Sequence, residues 1–150
     1  MPRKACECLA IDLCELVIED IHTRNKSLIH MFNRIVAPAL PVSFYRFCVY
    51  VALTDGRGEQ EARLEIVRPT QAPLLEMRGT VKFPDPTQVV EMVFEFHDLV
   101  FPETGKYAVN CYVGDSAIIS RPFYLSLARE ARLAGGEPLS PPNHGDGGSG

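Results

Sequence analysis

The run Phe101-Pro102-Glu103-Thr104-Gly105-Lys106-Tyr107 constrains this chain more than any other stretch. Proline presets the backbone angle that opens a tight turn, and glycine takes a left-handed angle that other residues resist. A tyrosine just beyond can return its hydroxyl to the turn backbone. Pro102, Gly105 and Tyr107 therefore read as a structural corner leading into a strand, the arrangement found in Greek-key sandwiches.

The flanking sequence has the period of strands. Residues 45–53 put Phe47, Val49, Val51 and Leu53 on one face, and Val90, Met92, Phe94 and Phe96 do the same further on. Beyond the corner Tyr107, Val109, Cys111 and Val113 alternate inward, and Gly114-Asp115 predicts a tight hairpin into residues 116–127. Glu61, Arg63 and Glu65 form an outward charged row that suits an edge strand, and Pro122 marks the last strand as an edge too. Gly79 softens the strand at 74–83, a position suited to a bulge. In residues 5–20, Leu9, Leu13, Leu16 and Val17 fit a helical stripe while Leu9, Ile11 and Leu13 fit a strand face. Continuation through Asn25-Lys26-Ser27 into Leu28-Ile29, as around a hairpin, favours the strand.

The expectation is an all-β, immunoglobulin-like Greek-key β-sandwich of seven to eight antiparallel strands over residues 1–128. Residues 129–150 are rich in Gly and Pro and predict a flexible tail. A length of 150 residues with 46% hydrophobic content suits one core.

Charge narrows the partners. Fifteen Lys and Arg against 19 Asp and Glu give a net charge of -4, and Arg3-Lys4 is the densest basic run. That argues against nucleic acid, which needs a basic face. The apolar run from Ile35 to Val42 is broken by Pro38 and Pro41 and falls far short of the roughly 20 residues of a spanning helix, so no membrane partner is expected. Glu7, Asp12 and Glu15 interrupt what a signal peptide would keep apolar. Five cysteines at irregular spacing suit reduced thiols in a cytoplasm. An immunoglobulin-type bridge between Cys48 and Cys111 is disfavoured, because the strand phases turn Cys48 outward and Cys111 inward. The chain also has no tryptophan to pack on such a bridge.

The reactive residues lack supporting spacing. Cys6, Cys8 and Cys14 with His22 and His30 offer zinc-type ligands without paired Cys-x-x-Cys, and thiols are ordinary core residues. His97 and Asp98 beside Glu95, with Ser116 or Ser120 as a nucleophile, are ingredients of acid–base chemistry outside any recognised motif. Asp55, Asp85 and Asp115 stand alone in their turns, unlike a calcium loop. No cofactor is expected.

What remains is a surface. In an immunoglobulin-like strand order Tyr50 and Tyr112 would share one outer face, with Cys48 and Asn110 around them in a charge-poor patch typical of protein contacts. The reading is a non-enzymatic binding or accessory module whose partner is a protein, a second copy of the chain included. Two other classes stay open: an enzyme built on His97 and Asp98 or on a thiol such as Cys48, and a sandwich that captures a small ligand such as a sugar on a concave face.

Residues 14–20, the run Lys26-Ser27-Leu28-Ile29-His30-Met31-Phe32, the run Ile35-Val36-Ala37-Pro38 and the late Leu99-x-Phe101-Pro102-x-x-Gly105-x-Tyr107 together resemble a family of small bacterial domains of unknown function. The resemblance spans roughly residues 8–127, with His30 where that family usually carries glycine. It implies the sandwich fold and a bacterial origin, and carries no activity to transfer.

Overall fold

The computed structural model describes residues 4–129, and the tail expected at 129–150 lies outside them but for its first residue. Nine strands follow one another: β1 (Glu7–Glu19), β2 (Lys26–Met31), β3 (Arg34–Ala37), β4 (Val42–Thr54), β5 (Gly58–Val67), β6 (Pro73–Phe83), β7 (Val90–Phe101), β8 (Gly105–Val113) and β9 (Ser116–Leu127). They form a four-stranded sheet A in the order β2-β1-β4-β7 and a five-stranded sheet B in the order β3-β9-β8-β5-β6. The inward rows of both sheets close one core, as apolar alternation requires. The ambiguous segment at 5–20 resolves as strand from Glu7 to Glu19, with β1 and β2 as an antiparallel hairpin.

Phe47 lies at the centre of the core, within 5.4–6.4 Å of the rings of Phe32, Phe96, Phe101, Phe123 and Phe44. Aromatic pairs at such spacing add to the burial of each ring. The corner forms as the sequence predicts. Tyr107 is fully buried, stacks on Phe123 at 5.3 Å and meets Phe101 edge-on. Its hydroxyl donates to the Glu103 carbonyl at 2.7 Å and accepts from the Glu103 N–H at 3.3 Å. Gly105 has φ +130°, and a Cβ there would come within 2.9 Å of Pro69. An Arg68–Glu103 ion pair at 2.7 Å ties the preceding loop to the corner.

Both β4 and β7 change phase at the same level. Phe44 and Phe47 pack toward the core, as do Phe96 and Leu99, and each pair is three residues apart rather than two. Asp98, between Phe96 and Leu99, sits at φ 54°, a local twist that re-aims the side chains beyond it.

Four expectations are corrected. There are nine strands rather than seven or eight, and one pairing is parallel, because β3 crosses from the β1–β2 hairpin to sheet B and runs alongside β9. β5 is interior, flanked by β8 and β6; its outward charges pair with Glu76 and Arg78 on the true edge strand β6. β9 is flanked on both sides only where β3 reaches it, from Tyr124 to Leu127. Pro122 lies just before that segment, where its missing N–H leaves no ladder bond unmade. Gly79 pairs in register with Ala62, and the irregularity of this pair of strands falls at Ile66 and Val67 instead.

Candidate functional site

The structure separates the two tyrosines that the strand phases had grouped. Tyr50 is on β4 in sheet A and Tyr112 on β8 in sheet B. Each points outward, so they occupy opposite faces of the sandwich. Cys48 goes with Tyr50, and Asn110 goes with Tyr112. Alternation reports which side of its own sheet a residue faces; it carries no information on which sheet the strand joins.

Around Tyr50 the surface is already occupied. Its hydroxyl donates to the Glu91 carboxylate on β7, and Lys26 Nζ reaches the same carboxylate at 2.8 Å from the start of β2. Lys26 does so although β1 and β4 lie between its strand and β7 in the sheet order. The far half of the β1–β2 hairpin therefore leans over the outer side of sheet A. Beneath it Cys14 and Cys48, directly opposed across β1 and β4, are fully buried despite their outward phase. The Cys48 thiol lies 3.5 Å from the Glu15 carbonyl, to which it donates. Burial, then the Glu91 carboxylate, pushes the Tyr50 phenol up to about 12. Hydrogen bonds from Lys26 and then Tyr50 hold the Glu91 carboxyl below its ordinary range.

The outer face of sheet B is different. Side chains from β5, β6, β8 and β9 and from the β5–β6 loop line a groove of about 600 Å³, among them Glu65, Arg68, Lys106, Asn110 and Ser120. Glu65 forms its negative end, accepting from Tyr112 Oη at 2.9 Å and Asn110 Nδ2 at 3.3 Å. The Arg63 guanidinium lies over the Tyr112 ring with Cζ at 3.9 Å from its centre, a cation–π contact. The Glu65 hydrogen bond raises the Tyr112 phenol. The patch expected to be charge-poor is thus laced with charge, because the neighbouring strands contribute Glu65, Arg63 and Glu91. Sequence reading named Asn110 and Tyr112 here and missed Glu65 and Lys106 as groove residues.

The other candidates do not converge on a cleft. His97 is half exposed on β7 and meets Glu95 at 2.8 Å on the open sheet face; Asp98 is the left-handed residue of the phase change. Ser116 accepts from the Ala5 N–H at 3.0 Å, and Ser120 lines the groove. Asp20 and Asp85 accept backbone N–H bonds in their turns, which lower both carboxyls. All five thiols are free. Burial raises Cys8 and Cys14, and pushes Cys6 and Cys48 up to about 11 and Cys111 up to about 12. Such thiols hold their protons at neutral pH and are poor nucleophiles. Among the described residues no three His, Cys, Asp or Glu side chains are grouped to hold a metal, and no helix is long and apolar enough to cross a membrane.

Residues 9–126 match the model of a family of unknown function, DUF6941. The chain belongs to this family. The matched segment runs from β1 into β9, so this DUF6941 domain contains both sheets, the corner and the groove. None of the curated proteins matches the chain. Among solved structures it is similar to the Pseudomonas fluorescens alkylpurine DNA glycosylase AlkC bound to DNA containing an abasic site analog, with 11% identity and a TM-score of 0.45. A second similarity, at 8% identity and a TM-score of 0.42, is to the Listeria innocua beta-glucosidase in complex with isofagomine. The similarities cover 82% and 81% of this chain but 31% and 16% of those chains.

Proposed function

We propose that the chain is a non-enzymatic binding module that contacts a protein partner through the grooved outer face of sheet B. The groove carries this reading: its side chains come from four strands of a rigid scaffold and offer donors, acceptors and both signs of charge to an incoming surface. The counterpart face of sheet A is partly taken by the chain's own β1–β2 hairpin. An immunoglobulin-like Greek-key arrangement is part of the proposal. The order β1-β4-β7 against β9-β8-β5-β6, with a tyrosine corner where the chain passes from β7 to β8, supports it. Five free thiols support a reducing, cytoplasmic setting.

Affinity capture from the native cells tests the reading with three baits: wild type, Ser120→Arg, which fills the groove, and Tyr50→Ala on the opposite face. Proteins held by wild type and by Tyr50→Ala should be lost with Ser120→Arg. A capture identical for all three baits, or nothing above the empty-bead control, overturns the proposal. If the lost protein is the chain itself, the partner is a second copy, and sedimentation of the purified protein should show a dimer.

A further inference from the structure

We infer that the partner brings a carboxylate-bearing extended segment to a row of three residues at one end of the groove: Arg34, Tyr124 and Lys106. The inference rests on the reading that sheet B's outer face binds the partner. The parallel β3–β9 register sets Arg34 beside Tyr124, and the β8–β9 register sets Lys106 on its other side. Residues paired across a ladder leave the sheet on the same face, and adjacent strands lie about 4.8 Å apart. The row is therefore cation, aromatic, cation. Tyr124 is 45% exposed, and Arg34 and Lys106 are exposed as well.

These cations differ from the others on the face. Arg63 is paired with Glu65 and Glu76, Arg68 with Glu103, and Arg78 with Glu61 and Glu76. Among the described residues no ion pair engages Arg34 or Lys106. On a molecule of net charge -4, the two cations that flank Tyr124 lack an internal carboxylate. A carboxylate arriving between them takes charge-assisted hydrogen bonds from both, and the side chain next to it rests on the Tyr124 ring.

The groove gives the ligand a direction. From Lys106 it runs along β8 to Asn110, with Ser120 opposite and Glu65 at the far end. Four residues of strand span roughly 13 Å, the reach of an extended segment of about five residues. Cations at one end and Glu65 at the other fit a segment whose acidic residue lies at the Lys106 end and whose donor or basic residue lies toward Glu65. The same polarity, together with the overall negative charge, opposes a uniform polyanion.

Selection of a random seven-residue phage-displayed library on the immobilised chain tests this, with fluorescence anisotropy of the enriched peptides on wild type, on Arg34→Ala/Lys106→Ala and on Ser120→Arg. Thermal melts followed by circular dichroism confirm that each variant is folded. The enriched peptides should share an Asp or Glu position. Their affinity should fall tenfold or more on the double variant and on Ser120→Arg, and weaken as salt rises. Enriched peptides without an acidic position, lost on Ser120→Arg and kept by the double variant, would overturn the carboxylate assignment and leave the sheet B reading standing. No enrichment, or binding indifferent to both variants, would overturn both. Inorganic phosphate is the remaining arm: competition at millimolar phosphate equal to that of the best peptide would reassign the row to a small anion and also overturn the proposal.

Discussion

Replacing Tyr107 with Phe removes one oxygen from the corner and leaves the ring contacts with Phe101 and Phe123 in place. The lost hydroxyl serves the Glu103 carbonyl at 2.7 Å and the Glu103 N–H at 3.3 Å. A net hydrogen bond contributes about 0.5–1.5 kcal/mol, and stranding a buried partner costs more. Glu103 is only partly buried, so water can serve its backbone in the variant. The expected loss is about 2 kcal/mol, dominated by the shorter bond. Taking a urea slope of about 1.5 kcal/mol per M for a domain of this size, the unfolding midpoint falls by about 1.3 M. Tyr112→Phe is the matched comparison, because its hydroxyl bonds Glu65 at 2.9 Å on the sheet surface, where solvent substitutes; its loss should stay under about 0.5 kcal/mol. Equilibrium urea unfolding of both variants, followed by far-ultraviolet circular dichroism, reads the difference. Equal midpoints for the two variants would refute the assignment of the Tyr107 hydroxyl as the bond that fastens the corner.

Three further outcomes follow from local geometry. His30 holds φ 56°, so His30→Gly should leave stability unchanged or raise it by up to about 1 kcal/mol in a urea titration, while His30→Ala lowers it; a clear loss in the glycine variant would contradict the backbone assignment. Glu91 has its folded carboxyl lowered by Lys26 and Tyr50, so the stability it contributes is present above the ordinary carboxylate value of 4.5 and fades as pH falls through the lowered folded value. The midpoint of wild type should therefore drop more between pH 7 and pH 3 than that of Glu91→Gln, and parallel curves would remove Glu91 from the account. Reaction with Ellman's reagent at pH 8 should modify at most one thiol within minutes, the half-buried Cys8, and all five after unfolding in guanidinium; three or more fast thiols in the native protein would contradict the packing.

Much of the fold was legible because it is written locally. The inward rows on β4, β7 and β8 and the Pro102–Tyr107 corner depend on residues close in sequence, and each appears where the pattern puts it. His30 likewise takes a backbone angle in the left-handed region, one that glycine adopts without a Cβ penalty. What stayed hidden depends on distant pairing. Nothing in Arg34-Ile35-Val36-Ala37 signals that it runs parallel to residues 124–127, and that pairing alone assembles the Arg34, Tyr124 and Lys106 row. Tyr50 and Tyr112 failed as one face for a similar reason: period 2 fixes the side of a strand and leaves its neighbours open. Cys48 shows the converse. Its phase is outward as read, but the hairpin that leans over it is a tertiary event with no trace in the alternation of β4.

The most direct test of the central claim is to map a bound peptide or captured partner on the chain by amide chemical shifts in an ¹⁵N spectrum. Shifts should concentrate on the outward residues of sheet B, at Glu65, Lys106, Ala108, Asn110, Ser120 and Tyr124. Shifts concentrated instead at Arg46, Tyr50, Val93 and Glu95 would place the working surface on sheet A and contradict the account.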